Sequence, residues 1–192
     1  IPDSSYMLSF TSARTVKAPP FWQQPGASPA LVINVPQTYP AQPLEGVLVA
    51  GYVALDLQKA VYPAEKLPLF EETGYDVDVE MELAWSSPDA FFEELTRIMR
   101  ARRLVLDRLW GERDWQTVGF VITGTDRLNH YFLDHYQNGG PYRDRFLAFY
   151  REVDEMLAWM MEKLSESDTL FVVSDHGFEL QHTVVNVNHV LK

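Results

Sequence analysis

Two apolar runs in this chain end in the same way, each delivering an aspartate and a histidine in close succession. Thr169 to Ser174 is apolar, β-branched or aromatic with no breaker inside, and reads as a short buried strand; Asp175, His176 and Gly177 follow at once. Trp115 to Ile122 reads as a second buried strand, leading through Thr123, Gly124 and Thr125 to Asp126, with His130 four residues later. In open α/β sheets, ligands lie in the crevice at the carboxyl ends of the strands, so an α/β fold with its site at these two strand ends is expected. The spacing of four sets Asp126 and His130 on one face of a helical turn. Asp175 and His176, as neighbours, aim apart, which suits adjacent metals or opposite sides of one site. Asp and His are the side chains that hold zinc or manganese, although Asp-His-Gly after a strand is also ordinary turn chemistry.

The rest of the chain supplies a framework for such a sheet. Phe21 to Gln24 is a short helix between Pro-rich punctuation, with Phe21 and Trp22 read as packing residues. Leu31 to Val35 is a buried strand stopped by Pro36. Pro36 to Gly51 reads as a loop broken by Pro36, Pro40, Pro43 and Gly46, and the wider stretch 36–85 as a cap, an insert or a wrap over the sheet edge. A short helix is expected over Pro63 to Thr73. A half-exposed strand follows over Tyr75 to Met81, its acidic residues on the solvated side. Ser87 and Pro88 start a long helix running to about Trp110, which buries Phe92, Leu95, Met99, Leu106 and Leu109 and carries five arginines read mainly as a solvated face. A second long helix, from about Tyr142 to Leu164, buries Phe146, Phe149, Val153, Leu157, Met160 and Leu164. The alternation of strand and helix implies a mainly parallel sheet sandwiched between helices in a single domain over 1–192.

Val173-Ser174-Asp175-His176-Gly177-Phe178, with Val185 to Asn188 after it, resembles the metal-binding segment of the alkaline phosphatase superfamily, in its type I phosphodiesterase/nucleotide pyrophosphatase-like branch. Thr125 to Phe132 resembles the preceding Asp-x-x-x-His segment of that branch, and Phe21-Trp22 and Ile33 to Pro40 are similar to it as well. The resemblance implies an alkaline-phosphatase-like α/β fold in truncated form, an internal part of a larger phosphodiesterase-type catalytic domain. It further implies a metal-dependent phosphoric ester hydrolase with two divalent ions, zinc or manganese. Asp126 and His130 would bind one ion and Asp175 and His176 the other. The family's Thr or Ser nucleophile and an earlier Asp ligand would precede Ile1, and a further His would follow Lys192, so no catalytic residue is assigned within the chain. His182 and His189 stand as alternatives for that histidine, and His135 as a surface residue. Ser174 and Asn129 are candidates to orient the ligands, and Arg127 to contact phosphate or to pair structurally. Two other readings stay open. One is a non-catalytic structural or binding piece, and the other a sulfatase- or phosphomutase-type member of the same superfamily.

Charge narrows the partners. With 27 acidic against 16 basic residues, the net charge of -11 argues against a nucleic-acid polymer or an anionic membrane, but not against a small phosphate ester, because metal ions supply local positive charge. There are no cysteines, which excludes disulfides and thiolate metal sites. No run is long enough to span a membrane, and no signal peptide is visible in a chain that starts with Ile, so a cytoplasmic location is expected.

Overall fold

A computed structural model describes residues 11–191. The chain divides into two compact units: 1–80 with 93–124, and 81–92 with 125–192. In chain order the elements are β1 (Ala30–Val35), β2 (Gly46–Ala50), α1 (Leu57–Ala60), β3 (Val61–Tyr62), α2 (Leu67–Glu72), α3 (Leu83–Ser86), α4 (Pro88–Trp110), β4 (Thr117–Phe120), α5 (Gly124–Asn138), α6 (Arg143–Glu162) and α7 (Val187–Val190). The protein is α/β, a mostly parallel sheet flanked by helices. No helix among the described residues is long and apolar enough to cross a membrane.

The first unit is built around β1. The strand order is β3-β2-β1-β4, with β1 parallel to both β2 and β4 and β2 antiparallel to β3. Because side chains alternate along a strand, Ala30 and Val32 face one side of the sheet, where they pack with Trp22, Leu48, Ala50 and Ala60. Leu31 and Ile33 point the other way and are equally buried. A strand covered on both faces reads as a continuous apolar run, and each such Leu or Ile contributes about 1.5–3 kcal/mol by leaving water. Trp22 closes the first face, while Phe21 stays exposed with its ring edge-on to Trp22 at 4.8 Å.

Beyond Ile33 the pairing slips: the register of β1 with β2 shifts between Ile33 and Val35, and Asn34 takes a left-handed backbone at φ 62°. Asn34 is completely buried, and its side chain settles the polar groups that the slip leaves behind. Its Nδ2 donates to the Val121 carbonyl at 3.3 Å and to Thr123 Oγ1 at 3.4 Å, and its Oδ1 accepts from Tyr75 Oη at 3.3 Å. Gly51 passes so close that a Cβ there would lie 2.3 Å from the Asn34 carbonyl oxygen, which leaves glycine as the residue that fits. Arg102 of α4 joins the cluster, donating to the Val77 carbonyl at 2.6 Å and to Thr123 Oγ1 at 3.2 Å while only 2% exposed. Burial lowers its pKa, and its Nε has no hydrogen-bond partner among the described residues.

Several expectations need correction here. The stretch Pro36 to Gly51 is not wholly a loop, because Gly46–Ala50 forms β2. A strand buried on both faces needs only a few apolar residues, and the breakers around them masked the signal. Tyr75 to Met81 is not a strand but a series of bends and turns. It is pinned through its carbonyls to Arg102 and through Asp76 and the Gly74 carbonyl to Arg97. Arg102 is therefore buried rather than solvated, whereas Arg97 and Arg108 hold exposed pairs with Asp76, Glu94 and Glu72. Most consequentially, Thr169 to Ser174 is not a strand. It has no ladder partner among the described residues, and Phe171, Val172 and Val173 are 70–82% exposed. Strand propensity reports that a side chain fits a pleated surface, not that a neighbouring strand is present to pair with.

The long helices match their patterns. Helix α4 starts at Pro88 and ends before Gly111, and all five expected core residues are buried, with Phe91, Ile98 and Val105 beside them. In the second unit, α6 buries Phe146, Phe149, Met156, Trp159 and Met160, one step round from part of the expected stripe. An aromatic cluster centred on Phe132 of α5 links Phe91, Phe92 and Tyr142 at centroid distances of 4.7–5.4 Å for Phe92, Tyr142 and Phe91. His135 lies half-buried against Phe132 and Tyr142 rather than on the surface.

Full burial pushes the Tyr75 hydroxyl up to about 12 from an ordinary value of 10.0. A folded-state value above the unfolded one gives stability that is complete below the unfolded pKa and is lost as pH rises through the folded one. Urea melts of wild type and Tyr75→Phe should therefore differ by a constant amount up to about pH 10. Above it, wild type should lose up to about 2–3 kcal/mol relative to the variant by about pH 12. A difference that does not change with pH would show that the hydroxyl is not shielded.

Candidate metal centre

All four expected ligands belong to the second unit. Helix α5 starts at Gly124, so Asp126 sits in its first turn, where the exposed N–H groups favour a carboxylate. His130 follows one turn on, its Nε2 3.6 Å from Asp126 Oδ1. The second pair arrives on an irregular extended segment instead of a strand end. Local contacts hold that segment: Ser174 Oγ donates to the His176 carbonyl at 2.6 Å, the His176 amide donates to Asp175 Oδ1 at 3.1 Å, His176 Nδ1 lies 3.1 Å from the Gly177 carbonyl, and Phe178 packs its ring against the site.

The resulting arrangement centres on one oxygen atom. His176 Nε2 lies 3.5 Å from Asp126 Oδ1, so two imidazole nitrogens from two different segments converge on the same carboxylate oxygen. Asp175 is on the outside, 91% exposed, with Oδ1 3.8 Å from His176 Nε2. The structure thus brings Asp126, His130 and His176 together, with Asp175 at the margin. Among the described residues no group of three or more His, Asp or Glu closes into a metal cage. The neighbouring open pocket, about 550 Å³, is lined by Asn129, His130, Asp134, His176, Phe178 and Glu179 among others. His182 and His189 are exposed and do not line it.

Three further residues shape the site. Phe178 meets His130 edge-on at 4.9 Å and His176 at 5.0 Å, holding the two rings from one side. Asn129 donates to the Thr125 carbonyl at 2.7 Å and to Tyr150 Oη at 2.6 Å, which ties the first turn of α5 to α6. Arg127 Nη1 donates to Asp126 Oδ2 at 2.7 Å with its own side chain only 12% exposed. Ser174, expected to orient a ligand, acts on the His176 backbone. The role of Phe178 carried no signal of its own in the sequence, because an aromatic after Asp-His-Gly is indistinguishable from any core residue.

A model of the type I phosphodiesterase / nucleotide pyrophosphatase family matches residues 4–192 of this chain. No curated protein and no solved structure gives a significant match.

Edge-to-face ring contacts are worth about 0.5–1.5 kcal/mol each. Phe178→Ala should therefore release the 174–178 segment without unfolding the core. Amide exchange at His176 and Gly177 is expected to rise about tenfold or more while the thermal midpoint moves by only a few degrees. Unchanged exchange would mean that the ring does not anchor the segment.

Proposed function

The chain belongs to the type I phosphodiesterase/nucleotide pyrophosphatase family, and from that premise we propose that it supplies part of the two-metal centre of a phosphodiesterase-type phosphoric ester hydrolase. The family supports the coarser statement, a hydrolase of small phosphate esters. The observation that carries the finer one is the convergence of His130 and His176 on Asp126 Oδ1. The donor chemistry fits: a carboxylate oxygen and two neutral imidazole nitrogens are zinc or manganese donors. Divalent ions held by Asp126, His130, Asp175 and His176 would supply positive charge to offset the negative charge on the phosphoryl oxygens.

The chain's own groups have defined parts in this reading. Asp126, His130, Asp175 and His176 act as ligands and not as acid or base groups. Asn129 and Phe178 hold α5 and the 174–178 segment in register. Asp134 and Glu179 make the pocket wall acidic, so that a bare phosphate ester is repelled and a cation attracted. The absence of a closed three-ligand group among the described residues favours one alternative, a non-catalytic piece with at most a partial metal site.

Calorimetric titration with zinc and with manganese separates the two. On the proposed reading the chain binds metal, and Asp126→Ala and His176→Ala each weaken binding by at least about 100-fold, more than is usual for loss of an outer-shell partner. Hydrolysis of nitrophenyl phosphate mono- and diesters by a full-length protein that also carries the nucleophile should then depend on added metal. A chain that binds neither ion supports the non-catalytic reading instead.

A further inference from the structure

Asp126 has two carboxylate oxygens in two different environments. Oδ1 faces His130 Nε2 and His176 Nε2 at 3.6 and 3.5 Å, while Oδ2 accepts from Arg127 Nη1 at 2.7 Å. Consecutive residues on a helix diverge by roughly 100°, and (i, i+1) pairs do not normally meet. Arg127 therefore has to fold back along the helix to reach its neighbour. Its side chain is 12% exposed and that of Asp126 28% exposed, so the pair is screened less than a surface ion pair. The helix turn that carries both residues is itself held by Asn129, through the Thr125 carbonyl and Tyr150 Oη.

We propose that Arg127 is a positioning residue that occupies Asp126 Oδ2 and so makes Asp126 a one-oxygen ligand, with Oδ1 alone presented to the metal. This rests on the reading of Asp126 as a metal ligand and adds a consequence for selectivity. A carboxylate with one oxygen taken by a guanidinium suits a small tetrahedral ion such as zinc. Calcium accepts both oxygens of a carboxylate and needs more oxygen donors, so it is disfavoured. The guanidinium reaches Asp126 through the one charge-assisted bond from Nη1 to Oδ2, its donor direction fixed by the planar group, and a lysine ammonium supplies charge without that fixed direction. The role differs from a contact with substrate phosphate, since a side chain paired and nearly buried against Asp126 acts through the ligand.

The test is zinc and calcium titration of wild type, Arg127→Met and Arg127→Lys, with thermal melts of each, followed by inorganic phosphate titration of the zinc-loaded proteins. The expected result is zinc binding weakened about tenfold or more in Arg127→Met, a narrower ratio of zinc to calcium affinity, and partial recovery in Arg127→Lys. Two results would overturn the proposal while leaving the metal reading intact. One is unchanged zinc affinity in Arg127→Met with weakened phosphate binding, which would assign Arg127 to substrate. The other is a lowered melting temperature with unchanged metal affinity in the folded protein, which would make it structural only. Absence of zinc binding by wild type would instead remove the underlying metal reading, and this proposal with it. If Arg127→Met fails to fold, Arg127→Gln, which keeps a planar donor of shorter reach, carries the same comparison.

Discussion

At Asn34 the central strand leaves its ladder while still entirely buried, and the packing of the first unit depends on how the freed polar groups are answered. A backbone in the left-handed region costs a non-glycine residue roughly 1–2 kcal/mol, and unsatisfied buried polar groups cost about as much again each. Asn tolerates that conformation better than most residues and brings both a donor and an acceptor. It spends these on Val121 and Thr123, just after β4, and on Tyr75, from the segment between α2 and α3. Gly51 lets β2 pass against the bulge, and Arg102 closes the cluster from α4. Through Thr123, which accepts from both, Asn34 and Arg102 thus link the ends of β1 and β4 to α4.

The candidate metal centre follows a different logic. Its anchor is α5, whose inner face is committed to an aromatic cluster around Phe132 while its first turns carry Asp126, Arg127, Asn129 and His130. Spacing along one helix places Asp126 and His130 rigidly. His176 comes from an irregular segment and is held there chiefly by Phe178 and by the local hydrogen bonds of Ser174 and Asp175. A rigid half and a locally tethered half meet at Asp126 Oδ1, so the precision of the site rests on how that single carboxylate is oriented.

Much of this was legible in the sequence wherever the signal is local. β1 and the two long helices announce themselves through apolar period and capping, β4 is found where its apolar run lies but is shorter, Thr117–Phe120, and half-buried rather than buried, and the (i, i+4) relation of Asp126 and His130 is a helical distance. What was not legible depends on partners distant in sequence. β2 is five residues among prolines, and only its parallel neighbour β1 makes it a strand. Thr169 to Ser174 has the composition of a strand without the pairing. Arg102 lies among arginines that do face water, and nothing in its neighbours reveals that Thr123 and the Val77 carbonyl receive it. The convergence of His176 on Asp126 links positions fifty residues apart, which resemblance could pair as motifs but residue spacing could not place.

The charge of the protein makes the two halves of the proposed function a single physical property. The chain carries a net charge of -11, and the pocket beside the candidate centre has Asp134 and Glu179 in its lining, with Asp126 and Asp175 close to its histidines. Arg127 is nearby and donates to Asp126 Oδ2. A doubly or singly charged phosphate ester approaching such a wall meets repulsion. Divalent ions reverse the sign locally, because each brings two positive charges to within bonding distance of the site. On the proposed reading the acidic surface is therefore no obstacle to an anionic substrate. It concentrates the cations without which the ester does not bind, and it rejects large polyanions whose charge extends beyond the reach of two ions. On that reading a small ester fits such a field and a nucleic-acid polymer does not.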